Sequence, residues 1–181
     1  MLGEKMEAGL NKQVNAEWYS AYLYLSMSAW FETVNLPGAA HWLYAQAHEE
    51  TIHALKLQLH IVERKGTVSL APIAGPPTKW DSALAAFQAA HAHEKLVTKM
   101  IDDLVDLSVT ESDHASNAFL QWYVTEQVEE EASTWDVVQK LKLAGDQGAA
   151  LLFVDQALAA RIPPFVIPIP PAAGGQGGTA A

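Results

Sequence analysis

The placement of helix breakers constrains this chain most. Residues 10–36 contain neither glycine nor proline, residues 39–65 contain neither, and residues 78–144 form 67 consecutive positions with neither. Ala, Leu, Glu, Lys and Gln fill these stretches, and such residues lose little freedom on entering a helix. No Asn-Gly or Asp-Gly pair marks a hairpin. The chain is therefore expected to be all-α. The longest stretch must break once, because a single helix there would run ~100 Å. Ser108 to Asp113 concentrates capping and β-branched residues, so the break is expected there.

Four long helices follow, near 4–34, 37–65, 80–107 and 113–143, with a short apolar helix at about 149–160. The tight turn at 34–37 makes the first two antiparallel neighbours, and the last two long helices are joined as closely. Residues 66–79 form a longer link. Fully extended, it reaches ~46 Å, against ~43 Å for a 29-residue helix, so it can run the length of a bundle. The 181 residues favour one domain over residues 1–161. Residues 162–181, rich in proline and glycine, are expected to be an extended or disordered tail.

Cysteine is absent, which excludes disulfides, thiolate metal sites and thiol nucleophiles. Eleven basic residues against 21 acidic ones give a formal charge of −10. Such a chain is a poor partner for nucleic acid or anionic membrane and a good one for cations. No run approaches the ~18 apolar residues of a membrane span. The first residues, Met1 to Glu7, have no apolar signal region, so a cytoplasmic location is expected.

Each long helix carries an apolar stripe at coiled-coil spacing, and each stripe is broken by a carboxylate near mid-length. The interruptions are Glu17 in the first, Glu50 with His53 in the second, Glu94 in the third, and Gln127 with Glu130 in the fourth. Counted from residue 35, Glu17 lies 18 positions before and Glu50 and His53 lie 15 and 18 after. Counted from residue 110, Glu94 lies 16 before and Gln127 and Glu130 lie 17 and 20 after. At ~1.5 Å per residue these groups agree in height to within one turn.

One glutamate on a core stripe is ordinarily a rim position, a lone histidine ordinarily a packing residue, and Glu129-Glu130-Glu131 alone a solvated face. Four carboxylates at one level are a different matter. A buried unpaired carboxylate is costly, and no Lys or Arg stands on these stripes. A pair of divalent cations balances four negative charges, and carboxylate oxygens with one imidazole suit iron or manganese.

These residues bring a resemblance into view. Asn15 to Leu25, Ala45 to His53, His93 to Lys95 and Phe119 to Glu131 are similar to the matching segments of bacterial non-haem ferritins, and the likeness spans about residues 1–160. It implies a ferritin-like antiparallel four-helix bundle with one long crossover and a short fifth helix. It implies a di-iron ferroxidase centre, with Glu17, Glu50 and His53 on one iron. Glu50 would bridge to a second iron, shared with Glu94 and Glu130, and Gln127 would stand on the oxygen side. A third iron position would use Glu49, Glu126 and Glu129 with Glu130. Tyr24 would lie beside the centre and, with Trp122, donate electrons.

The implied activity is oxidation of Fe(II) by O2 or H2O2 and storage of ferric mineral inside a homo-oligomeric shell of 24 subunits. No haem is expected, because Thr51 stands where bacterioferritin carries its haem-ligating methionine. The fourth helix has Gln127-x-x-Glu130 in place of a second Glu-x-x-His. That disfavours the two alternatives with metal, a di-iron oxygenase and a peroxide reductase. A metal-free helical interaction module is the third alternative. The remaining histidines, His41, His48, His60, His91, His93 and His114, read as surface or packing residues.

Overall fold

The computed structural model of the chain describes residues 1–145 and 147–164. Among them are five helices: α1 (Glu4–Thr33), α2 (Pro37–Glu63), α3 (Ala83–Thr110), α4 (His114–Ala144) and α5 (Gly148–Leu158). The ends follow local chemistry. Asn35 takes a left-handed conformation in the α1–α2 turn, and Pro37 opens α2, where a missing N–H costs nothing. Ser82 caps α3 by accepting from the Ala85 N–H at 3.0 Å, so that helix starts later than the expected residue 80. It also runs on to Thr110. The break then comes at Ser112, in the left-handed region, with Asp113 capping α4 through the Ser116 N–H at 3.1 Å.

The link between α2 and α3 runs along α1. Asn11 donates to the Thr67 carbonyl (2.9 Å), Asn15 to those of Ala71 and Pro72 (3.2 Å each), and Ser26 to that of Pro77 (2.6 Å). These α1 positions ascend in step with the link, so the connection is the long crossover. Trp80 then packs edge-on against Trp30, with ring centres 5.6 Å apart.

Two apolar clusters fill the bundle, one toward each end. The first gathers Met27, Phe31, Trp42, Leu43, Phe87 and Val137. The second gathers Met6, Leu10, Leu57, Ile61, Ile101 and Leu120. Between them lies a layer of buried polar side chains. Helix α5 closes the first end. Its Asp155 carboxylate accepts from the Gly38 and Ala39 N–H groups (3.1 and 2.8 Å), capping α2 from a distant part of the chain. Gly38 is required there, because a Cβ would stand 1.8 Å from the Asp155 carbonyl oxygen. Of the expected tail, residues 165–181 lie outside the described residues.

Candidate metal centre

The polar layer is built by all four long helices. Glu17 comes from α1, Glu50 and His53 from α2, Glu94 from α3, and Gln127 and Glu130 from α4. All six are buried. One ligand atom from each of Glu17, Glu50 and His53 lies within 4.8 Å of the others. His53 Nδ1 stands 3.5 Å from Glu50 Oε2, and its Nε2 stands 3.9 Å from Glu126 Oε2. Glu17 Oε2 is buried and meets no donor. A cation is the partner that such an oxygen lacks.

Gln46 links Glu130 to this triad, and Glu94 is held by donors of its own. Gln46 donates to Glu130 Oε2 (2.5 Å) and reaches Glu50 Oε1 at 3.4 Å. Gln127 donates to Glu94 Oε2 at 3.3 Å. The Tyr24 hydroxyl donates to Glu94 Oε1. Gln13 donates to Glu17 Oε1 at 2.8 Å. Neither Gln13 nor Gln46 interrupts an apolar stripe, and the sequence pattern does not pick them out. Each stands one helical turn before a candidate ligand, Glu17 or Glu50, which is the only signal that marks it.

Burial sets the electrostatics. Desolvation, with repulsion from Glu50 next, pushes Glu17 up to about 8. Desolvation and then the charge of Glu94 push Glu130 up to about 8. Glu94 rises to about 7, again chiefly by desolvation, although the Tyr24 and Gln127 hydrogen bonds hold it down. Glu50 is driven well above the ordinary carboxylate range by desolvation and by Glu94 and Glu130. Desolvation raises the Tyr24 phenol as well. The layer therefore resists carrying its negative charges unless positive charge enters.

The candidates for a third position surround a separate cavity of about 350 Å³, lined by Trp42, Glu49, Glu126, Glu129, Glu130 and Arg161 among others. Glu130 is thus common to the buried layer and to this outer cavity. Arg161, just past α5, donates to Glu49 Oε2. No sequence pattern places a cation near these acids, because Arg161 is more than 100 positions from Glu49. Trp122 packs edge-on against His53, with ring centres 5.3 Å apart, under the Lys56 ammonium.

Most of the other histidines pack or hydrogen-bond, while His114 is exposed. His60 stacks on Phe119 at 3.9 Å, His48 packs on Tyr44 at 4.3 Å, and His93 bonds Ser20 at 2.8 Å. His48 is buried, so it belongs to the packing rather than the surface.

Comparison with known proteins agrees with this architecture. The ferritin-like domain family matches residues 7–144. A bacterial non-heme ferritin of Bacteroides fragilis is 41% identical over 161 residues, covering 89% of this chain and all of that protein. A bacterial non-heme ferritin of Campylobacter jejuni is 42% identical over 156 residues, covering 86% and 93%. Among solved structures, an engineered closed form of the Archaeoglobus fulgidus ferritin superposes with a TM-score of 0.88 at 50% identity, covering 90% and 99%. The open-pore ferritin of the same archaeon gives 0.89 at 49% identity, covering 90% and 100%. The chain belongs to the ferritin family.

Proposed function

We propose that this chain works as a ferroxidase and iron-storage protein through the buried layer described above. The observation that carries the reading is the convergence of Glu17, Glu50 and His53 within 4.8 Å, with Glu94 and Glu130 buried alongside. Fe(II) is the substrate. Glu17, Glu50 and His53 hold one ion, and Glu50, Glu94 and Glu130 hold a second. Each Fe(II) gives up one electron, and O2 takes both together with two protons, leaving as H2O2. When H2O2 is the oxidant, the same two electrons and two protons cleave its O–O bond and yield two waters.

The protein's part is placement and charge. Hydrogen bonds from Gln13, Gln46 and Tyr24 aim the carboxylate oxygens before the substrate arrives. Loss of protons from the raised carboxyls accompanies substrate binding. Only one of the two positions has an imidazole, so the positions are unequal and the product ion leaves from the weaker. Gln127 donates to Glu94, and in this reading it is the side chain on the oxygen side of the centre. Tyr24, bonded to Glu94, and Trp122, packed on His53, donate electrons during oxygen reduction. Glu49, Glu126, Glu129 and Glu130 hold a third ion in the outer cavity.

Storage needs an enclosed space, and the assembly is a homo-oligomeric shell of 24 copies, located in the cytoplasm. No helix among the described residues is long and apolar enough to cross a membrane. The test is aerobic addition of Fe(II). The parent chain is expected to oxidise it faster than buffer, and Glu50→Ala is expected to lose that advantage, because Glu50 serves both positions. A parent no faster than buffer, or a Glu50→Ala variant as fast as the parent, rejects the reading.

A further inference from the structure

The outer cavity already contains a positive charge. Arg161 follows the last turn of α5, where its N–H bonds the Leu158 carbonyl at 3.2 Å. From there its side chain reaches back over α2. The guanidinium lies 4.1 Å above the centre of the Trp42 ring, and Nη2 donates to Glu49 Oε2. His41 donates through Nε2 to the Arg161 carbonyl at 2.8 Å, which fixes the backbone on the same helix. The cavity so reached is lined by Glu49, Glu126, Glu129 and Glu130. The guanidinium is thus a cation placed among the carboxylates that a metal ion in this cavity would need.

The attachment is incomplete. Nη1 is buried and has no acceptor, which is an unfavourable state for a charged donor. The grip therefore consists of one ion pair and one ring face. Both can be broken by rotating side-chain torsions, without disturbing α5 or its Asp155 cap. A divalent cation that takes Glu49 removes the acceptor on which the guanidinium depends, and like charges then separate them.

We propose that Arg161 is a displaceable plug: its guanidinium occupies the outer carboxylate cavity when metal is scarce, and a divalent cation entering that cavity expels it. The plug makes filling of the outer cavity the last event of loading, so that metal reaches the inner pair first. It rests on the reading of Glu49, Glu126, Glu129 and Glu130 as a metal-holding set. Displacement is reciprocal: whatever factor metal loses by expelling Arg161, it regains when Arg161 is absent.

The experiment is a calorimetric titration of the assembled full-length chain with Zn(II), which binds without redox chemistry. Parent, Arg161→Gln and Arg161→Lys are compared for the number of ions per subunit and the affinity of each. In Arg161→Gln the third ion is expected to bind about tenfold more tightly while the first two are unchanged. Arg161→Lys keeps the charge and loses the planar fork and the stacking, so it falls between the two. A third affinity equal in parent and Arg161→Gln overturns the plug. A separate arm adds Glu126→Gln and Glu129→Gln to Arg161→Gln. If the third ion survives there, or if no protein binds a third ion, the cavity is not a metal site, and that reading fails in a way the first comparison distinguishes.

Discussion

Metal entry into the buried layer should expel protons in a countable number. Glu17 and Glu130 sit near 8 and Glu94 near 7, each raised first by desolvation, and Glu50 is raised as well. At about pH 6.5 the metal-free layer therefore holds about three protons on Glu17, Glu94 and Glu130, with Glu50 raised in the same direction. Metal ligation requires the carboxylate form, so loading both positions with Zn(II) at that pH releases them. For each proton released, the combined affinity for the two ions rises about tenfold per pH unit, hence about a thousandfold per unit near pH 6.5, and less steeply as pH passes about 8. Calorimetry in two buffers of different protonation enthalpy reads the proton count directly. Glu17→Gln removes one titrating group, and the release should fall by about one proton. Fewer than one proton released by the parent at about pH 6.5, or an affinity flat between pH 6 and 8, would refute the account of a proton-loaded layer.

Three further outcomes rest on the same geometry. With chelator present, the folded state binds more protons than the unfolded one at Glu17, Glu94 and Glu130. Their contribution is thus greatest below the ordinary carboxylate range and is lost as pH rises from about 5 through about 8. The unfolding free energy of the metal-free chain, at fixed protein concentration, should fall across that window by about 1.4 kcal/mol per pH unit for each proton difference, the melting midpoint falling with it, and a rising midpoint contradicts it. Tyr24→Phe removes the hydroxyl that holds Glu94 down. Zn(II) should then bind the Glu94 position about tenfold more weakly, and an unchanged titration would show that the hydroxyl does not orient this carboxylate. Gly38→Ala puts a Cβ 1.8 Å from the Asp155 carbonyl. Helix α5 must retreat and both capping bonds are lost, at about 2–3 kcal/mol; an unchanged melting midpoint would mean that α5 is not seated there.

Much of the fold and of the buried layer is legible in the residues alone because helices make depth countable. The positions of Glu17, Glu50, Glu94 and Glu130 along their stripes, measured from two turns, are enough to put them at one height, and the structure buries all four. Helix ends fall within a few residues of expectation, and the differences have local causes such as the Ser82 cap on α3. What escapes a linear reading depends on approach between parts remote in sequence. Asp155 caps α2 from 117 positions away, and Arg161 meets Glu49 from 112 away; neither has a periodicity to betray it. Gln13 and Gln46 escape for another reason. A glutamine on a helix face is unremarkable until its neighbour is known to be a buried acid.

The character of those supporting residues explains why the layer awaits a cation. Gln13, Gln46, Gln127 and Tyr24 hold Glu17, Glu130 and Glu94 through neutral donors. A neutral donor aims an oxygen yet leaves its charge unbalanced. A lysine in the place of Gln46 would supply about 4 kcal/mol of attraction to a carboxylate ~4 Å away at an effective dielectric of 20, and would satisfy the acids permanently. The carboxylates cannot relieve their repulsion by moving apart either, because an apolar cluster packs the helices on each side of the layer and close-packed interiors yield little. Protonation and metal are the remaining ways out, and the two exclude each other at the same oxygens. Arg161 shows the opposite solution where it is tolerable. In the outer cavity the compensating charge sits on a side chain beyond the last helix, gripped by one ion pair and one ring, and from that position a cation can leave. On an inward stripe of the bundle it could not, which is why the inner layer is lined with amides.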